Sequence, residues 1–161
     1  MAAGVSGWFV VNARDAEWYD TDMGKFCPFE PGERFEQMGF NLNVVAPGEP
    51  MAMYHREDGQ EAFLVLDGEC TLVVEGEERP LRRWDFFHCP PQVAHVIVGA
   101  GDRPSLVLAV GSRMQGRHVF YPADPTARKL GAAPAADTAD PKEAYAGHRI
   151  EKAAYQEGWL P

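Results

Sequence analysis

Between Phe35 and Arg113 the chain is broken by turn signals roughly every ten residues, at Pro47-Gly48, Asp58-Gly59, Asp67-Gly68, Glu75-Gly76, Pro90-Pro91, Gly99 to Gly101, and Gly111. The intervening runs are rich in Val, Phe, Leu and Ile and are too short, and too weakly periodic, for helices. Such a pattern predicts an all-β fold, an antiparallel sandwich or barrel over residues 35–113. Within it, "CTLVVEGEERPL" reads as a hairpin whose charged tip, Glu75 to Glu78, lies in solvent.

The flanks have a different character. Upstream, Trp8 to Asn12 is expected to be a strand, followed by an irregular stretch with Cys27-Pro28 and Pro31-Gly32. Residues 1–34 therefore form an N-terminal strand and arm, suited to covering a sheet edge of this chain or of a partner subunit. Downstream, "YPADPTARKLGAAPAADTADP" reads as an ordered-to-loose connector. After it Asp140, Pro141 and Glu143 resemble a helix start, and Gly158 a helix stop. A C-terminal helix over residues 141–157 is expected. Residues 114–161 are then a linker and helix packed on the barrel or on a partner.

Composition excludes several functions. With 161 residues there is enough chain for one domain with a substantial core. Fifteen Lys and Arg against 24 Asp and Glu give a formal charge of -9, which repels polyanions, so nucleic acid is not an expected partner. No apolar run approaches a membrane span, and the N-terminus lacks the basic start of a secretory signal, so the expected location is cytoplasmic and no membrane is involved. Cys27, Cys70 and Cys89 are odd in number and widely spaced, which suits reduced thiols rather than a disulfide framework.

The stretch "MYHREDGQEAFLVLDGEC" concentrates the chemistry. Strand alternation places Met51, Met53, His55 and Glu57 on one face, and Glu61, Phe63 and Val65 on one face after the Asp58-Gly59 turn. In "WDFFHCPPQVAHVIVG", Phe87 and Cys89 share a face, as do His95 and Ile97. Neutral imidazole and carboxylate both ligate first-row divalent metals, and two histidines with one carboxylate leave positions open for substrate or dioxygen.

These two stretches resemble the motifs of the cupin superfamily. The first motif has two histidines one residue apart, then a glutamate, then a glycine, and His55, Glu57, Glu61 and Gly68 stand at those places. The second ends in a Pro-x-Gly turn and a histidine, matched by Asp85, Pro90 and His95. Glu57 replaces the second histidine, Gln92 the turn glycine, and Trp84 the glycine before Asp85.

The resemblance implies an antiparallel cupin barrel, a double-stranded β-helix or jelly roll, with one divalent transition metal, Fe, Mn, Zn or Ni. Its ligands are expected to be His55, Glu61 and His95, with Glu57 either a fourth ligand or a catalytic general base. The inward residues Met51, Met53, Phe63, Val65, Phe87, Cys89 and Ile97 are expected to line a small-ligand pocket. No arginine or lysine falls on that inward pattern, which favours a small apolar or aromatic compound over a phosphorylated sugar. Cys89 is expected to be a buried hydrophobe. Two functional classes follow: a metal-dependent enzyme, oxygenase-like or an isomerase, on a small organic molecule, or a non-catalytic cupin that binds a metal or ligand as a sensor or accessory subunit. Single cupin modules commonly pair, so a homodimer is expected.

Overall fold

Along strand β5 (Glu61–Asp67) Phe63 and Val65 are buried on one face, as the alternation requires. They meet Val107 of β10 (Ser105–Ser112), Cys89 of β8 (Phe86–Cys89), Cys70 and Leu72 of β6 (Glu69–Val74), and Ile97 of β9 (His95–Ala100) in one interior cluster. This cluster is the barrel core, closed between two antiparallel sheets in a computed structural model that describes residues 7–161. The first six residues of the expected arm lie outside the described residues. The chain is all-β with the cupin-type arrangement expected.

The smaller sheet has the order β7-β6-β9, with β7 spanning Glu77–Arg82. Its hairpin turns on Glu75 and Gly76, at φ 49° and 79°. Positive φ at both central residues matches the twist of the flanking strands. The larger sheet runs β12-β1-β2-β3-β10-β5-β8. Here β1 is Glu17–Thr21, β2 Gly24–Cys27, β3 Met38–Val45 and β12 Ile150–Ala154. A two-stranded ladder joins β4 (Arg56–Glu57) to β11 (Val119–Phe120).

Two flanking elements differ from expectation. Residues 8–12 form no strand; Trp8 is 85% exposed, and the Asn12 side chain accepts from the Arg14 N–H at 2.9 Å, turning the chain before an opposing strand is met. The strand lies later, at β1, where Trp18 is fully buried and donates its indole N–H to Ala13 O at 2.8 Å. The β1–β2 hairpin then extends the large sheet through β3.

The expected helix over 141–157 is the second correction. Asp140 caps as anticipated, its carboxylate accepting from the Lys142 N–H at 2.8 Å, but helix α2 covers only Pro141–Ala144. Gly147 follows at φ 82°, and Ile150–Ala154 pairs antiparallel with β1 as β12. A short helix with a weak apolar stripe gains little from docking, whereas the strand satisfies the free edge of β1 and brings Tyr155, Trp159 and Leu160 against Trp18.

The connector is ordered. Helix α1 (Pro125–Lys129), capped by Asp124, sets Ala127 and Ala132 over Tyr54, Val73, Val96 and Val98 on the outer face of the small sheet. Strands β6 and β9 are thus covered on both sides, which is why the run "VIVG" after His95 is apolar throughout. None of the helices in the described residues is long and apolar enough to cross a membrane.

Candidate metal centre

His55 and His95 meet as a single antiparallel bridge outside the regular ladders. Each backbone N–H donates to the other's carbonyl, at 3.1 and 2.9 Å, which puts both rings on one side with centroids 4.8 Å apart. Glu61 opens β5, on the same inward face as Phe63, and its carboxylate enters between the rings. One ligand atom from each of His55, Glu61 and His95 lies within 4.8 Å of the others.

Each ring is held by its far nitrogen. Nδ1 of His55 donates to Met53 O at 2.8 Å, and Nδ1 of His95 to Val93 O at 3.0 Å. A carbonyl can only accept, so the hydrogen sits on Nδ1 and the Nε2 lone pair faces inward. There it meets Glu61 Oε2, 3.5 Å from His55 Nε2 and 3.1 Å from His95 Nε2. All three inward atoms are then acceptors. Consistently, Glu61 Oε2 and His95 Nε2 are buried and make no hydrogen bond among the described residues.

A positive charge between them resolves this. A proton is one solution: burial alone lowers His55, but the Glu61 carboxylate outweighs it and raises the imidazole above its ordinary value. Burial likewise raises Glu61, yet the two imidazoles hold its carboxyl down at about 2. A divalent ion is the other. Atoms about 2.1 Å from a common ion sit roughly 3.0 Å apart at a right angle and roughly 3.4 Å apart at the tetrahedral angle, and the observed contacts of 3.1 and 3.5 Å match that spacing. The donor set, orphaned atoms and fixed tautomers fit a transition metal.

Glu57 stands apart from the trio. It is 6% exposed, on β4, with its carboxylate 3.2 Å from the Arg117 guanidinium. Burial first, then the Glu61 charge, raises its carboxyl, with Arg117 opposing. Arg117 was absent from the inward sequence pattern because it arrives from the loop before β11. Tyr121 and Tyr145 were missed for the same reason: the Tyr121 ring lies 6.0 Å from that of His55, and Tyr145 packs edge-on against Tyr121 and accepts the Met53 N–H at 3.1 Å. No local spacing in the sequence marks such long-range arrivals.

The expected pocket residues divide. Phe63, Val65, Cys89 and Ile97 are buried in the core, with Phe87 against them. Met53 turns instead to Met23 and Tyr121, because residues 51–55 bend and the strand alternation lapses. Met51 alone of the set lines a cavity of about 370 Å³, together with Met23, Phe26, Asn43, Val45 and Tyr145. None of the trio lines this cavity; Tyr145 on its wall packs against Tyr121, whose ring neighbours His55.

Comparison with known proteins agrees with the fold. Residues 41–111 match the family model of the cupin domain. A 3-hydroxyanthranilate 3,4-dioxygenase of Xanthomonas euvesicatoria pv. vesicatoria is 34% identical over 77 residues, 45% of this chain and 44% of the relative. The chain spans less than half the length of that relative. Among solved structures, a sugar phosphate isomerase of the cupin superfamily from Silicibacter pomeroyi is 25% identical, with TM-score 0.58 over 63% of this chain and 67% of that one. The polyketide cyclase RemF of Streptomyces resistomycificus, at 15% identity and TM-score 0.54 over 73% and 83% of the chains, shares the fold alone.

Proposed function

Because this chain carries a cupin domain, over residues 41–111, we propose that it is a metal-dependent enzyme in which His55, Glu61 and His95 hold one divalent transition metal beside a small organic substrate, with oxygenase-like chemistry. The observation that carries the reading is the pair of buried, unpartnered atoms, Glu61 Oε2 and His95 Nε2, facing each other at 3.1 Å. When bound, the metal supplies a Lewis acid with positions left open by a two-histidine, one-carboxylate set.

The chain's own groups do the rest. Met53 and Val93 carbonyls fix the ring orientations of His55 and His95. Glu57, close to the trio and nearly dry, is placed to take or give a proton. The cavity beside Tyr145 supplies apolar walls from Met23, Phe26 and Met51, and Asn43 supplies a polar contact. Cations around that cavity are paired: Lys25 with Asp20, His148 with Asp22, and Arg149 with Glu151. That pairing favours a small apolar or aromatic substrate over a sugar phosphate, and the relatedness to 3-hydroxyanthranilate 3,4-dioxygenases supports oxygenase chemistry over isomerisation.

A homodimer belongs to the same proposal, supported by Phe86, 64% exposed on the edge strand β8, beside exposed Trp84. One protomer mass by light scattering at all concentrations refutes it.

The test of catalysis is dioxygen consumption by Fe(II)-loaded protein across a panel of small phenols and aromatic acids, with Glu57→Gln alongside. Turnover lost in the variant with metal retained supports an enzyme. Absence of turnover in the parent with every compound, metal being bound, favours the non-catalytic sensor or accessory role.

A further inference from the structure

We infer that Arg117 is a positioning residue that holds Glu57 out of the metal's ligand set, leaving three protein ligands and a free buried carboxylate. The inference rests on the metal reading above.

Glu57 occupies the motif position of a second histidine, and a carboxylate there would be expected to ligate. Instead it lies outside the trio's cluster, and its side chain has one cationic partner among the described residues, Arg117 Nη1, at 3.2 and 3.4 Å from its two oxygens. The ladder explains the meeting. Val119 is opposite Glu57, so Arg117, two residues earlier, shares the face of Glu57 as its diagonal neighbour.

That ladder is clamped. Asp58 accepts from the His118 N–H at 2.8 Å and from its ring at 2.9 Å, and returns its own N–H to His118 O at 3.2 Å. Gln92 closes the other side, donating its side-chain amide to Asp58 at 2.7 Å and its backbone N–H to Glu57 O at 2.8 Å. Gln92 does so at φ 68°, a conformation that glycine adopts more freely. Two of the three departures from the motif, Glu57 for histidine and Gln92 for glycine, are therefore parts of one unit completed by Arg117. A guanidinium stays charged at every accessible pH, so it competes with the ion for the same carboxylate. Remove it, and the nearest positive charge for Glu57 is the metal.

The experiment titrates Co(II) into metal-free protein and reads its visible absorption, which reports coordination, together with the dissociation constant. Parent, Arg117→Gln, Arg117→Lys, Glu57→Gln and the double variant Glu57→Gln/Arg117→Gln are compared. Arg117→Gln is expected to change the spectrum and to tighten binding about tenfold, the scale on which groups around a ligand set move affinity. Arg117→Lys, Glu57→Gln and the double variant are expected to keep the parent spectrum. A parent-like spectrum in Arg117→Gln, or a changed one in Glu57→Gln alone, overturns the inference. If Arg117→Gln does not fold, Glu57→Gln decides by the same criterion. A parent that takes up no Co(II) overturns the metal reading itself, and this inference with it.

Discussion

The thiol of Cys89 lies 3.2 Å from Nδ1 of His95, on the ring nitrogen away from Glu61. It also lies within 3.5 Å of Val93 O, the carbonyl that fixes the imidazole. Burial, reinforced by the charge of Glu61, pushes this thiol up to about 12. The thiol is therefore held protonated at neutral pH, and it faces Val93 O and His95 Nδ1 rather than the inward Nε2 side, so slow reaction in the folded state is expected. Iodoacetamide at pH 8 should leave Cys89 unmodified in native protein and alkylate it in denaturant, as mass spectrometry of the peptide would show. Rapid native alkylation contradicts the assignment.

Metal-free protein should have a characteristic pH dependence. Glu61 is held near 2 against an ordinary 4.5, so its contribution to stability is full above about pH 4.5 and is lost as pH falls toward 2. His55 is raised above 6.5, so its contribution is full below about pH 6.5 and is lost as pH rises through the folded value. Thermal stability of the metal-free form should therefore peak between these limits and decline from pH 6.5 to 9. Metal-loaded protein should do the opposite over that interval, because ligation requires neutral imidazole. Metal-free protein that grows more stable from pH 6.5 to 9 contradicts the acceptor cluster.

Gly68, the motif glycine, has φ 80°, and a Cβ there would stand 2.6 Å from Ser105 Oγ and 2.8 Å from Ser105 Cα. Strain and overlap together should make Gly68→Ala destabilising by roughly 2–4 kcal/mol, lowering Tm by on the order of 10 °C. Gly131, at φ 68° with nothing within 4 Å, is the control: Gly131→Ala should cost only the strain, about 1 kcal/mol. Equal losses at the two positions contradict the close approach to Ser105.

The barrel strands, their turns and the trio were legible because each rests on local rules: alternation along β5, the paired positive-φ residues at Glu75 and Gly76, and two motifs in order. The tail was not. Asp140 and Pro141 do start a helix, but local propensity cannot foresee that β1 offers a free edge, or that Trp18 is buried beneath Tyr155 and Trp159. Arg117, Tyr121 and Tyr145 reach the site only through that tail, so the trio was visible and its surroundings were not.

The tail should accordingly be indispensable. A chain ending at Arg113 loses α1 over Tyr54 and Val96, β12 beside β1, and Arg117 beside Glu57. It is expected to be insoluble, or to bind a dye for exposed apolar surface and unfold without a cooperative transition. A truncated chain that melts cooperatively within a few degrees of the parent contradicts the wrapped architecture.

His55, Glu61 and His95 are expected to close around a metal ion. Elemental analysis of tag-free protein purified without chelator tests it most directly, beside His55→Ala and Glu61→Gln variants whose folding is checked by circular dichroism. About one equivalent of a transition metal is expected in the parent and little in either variant. No metal in the parent, even after reconstitution with Fe(II), Mn(II), Zn(II) and Ni(II), would contradict it.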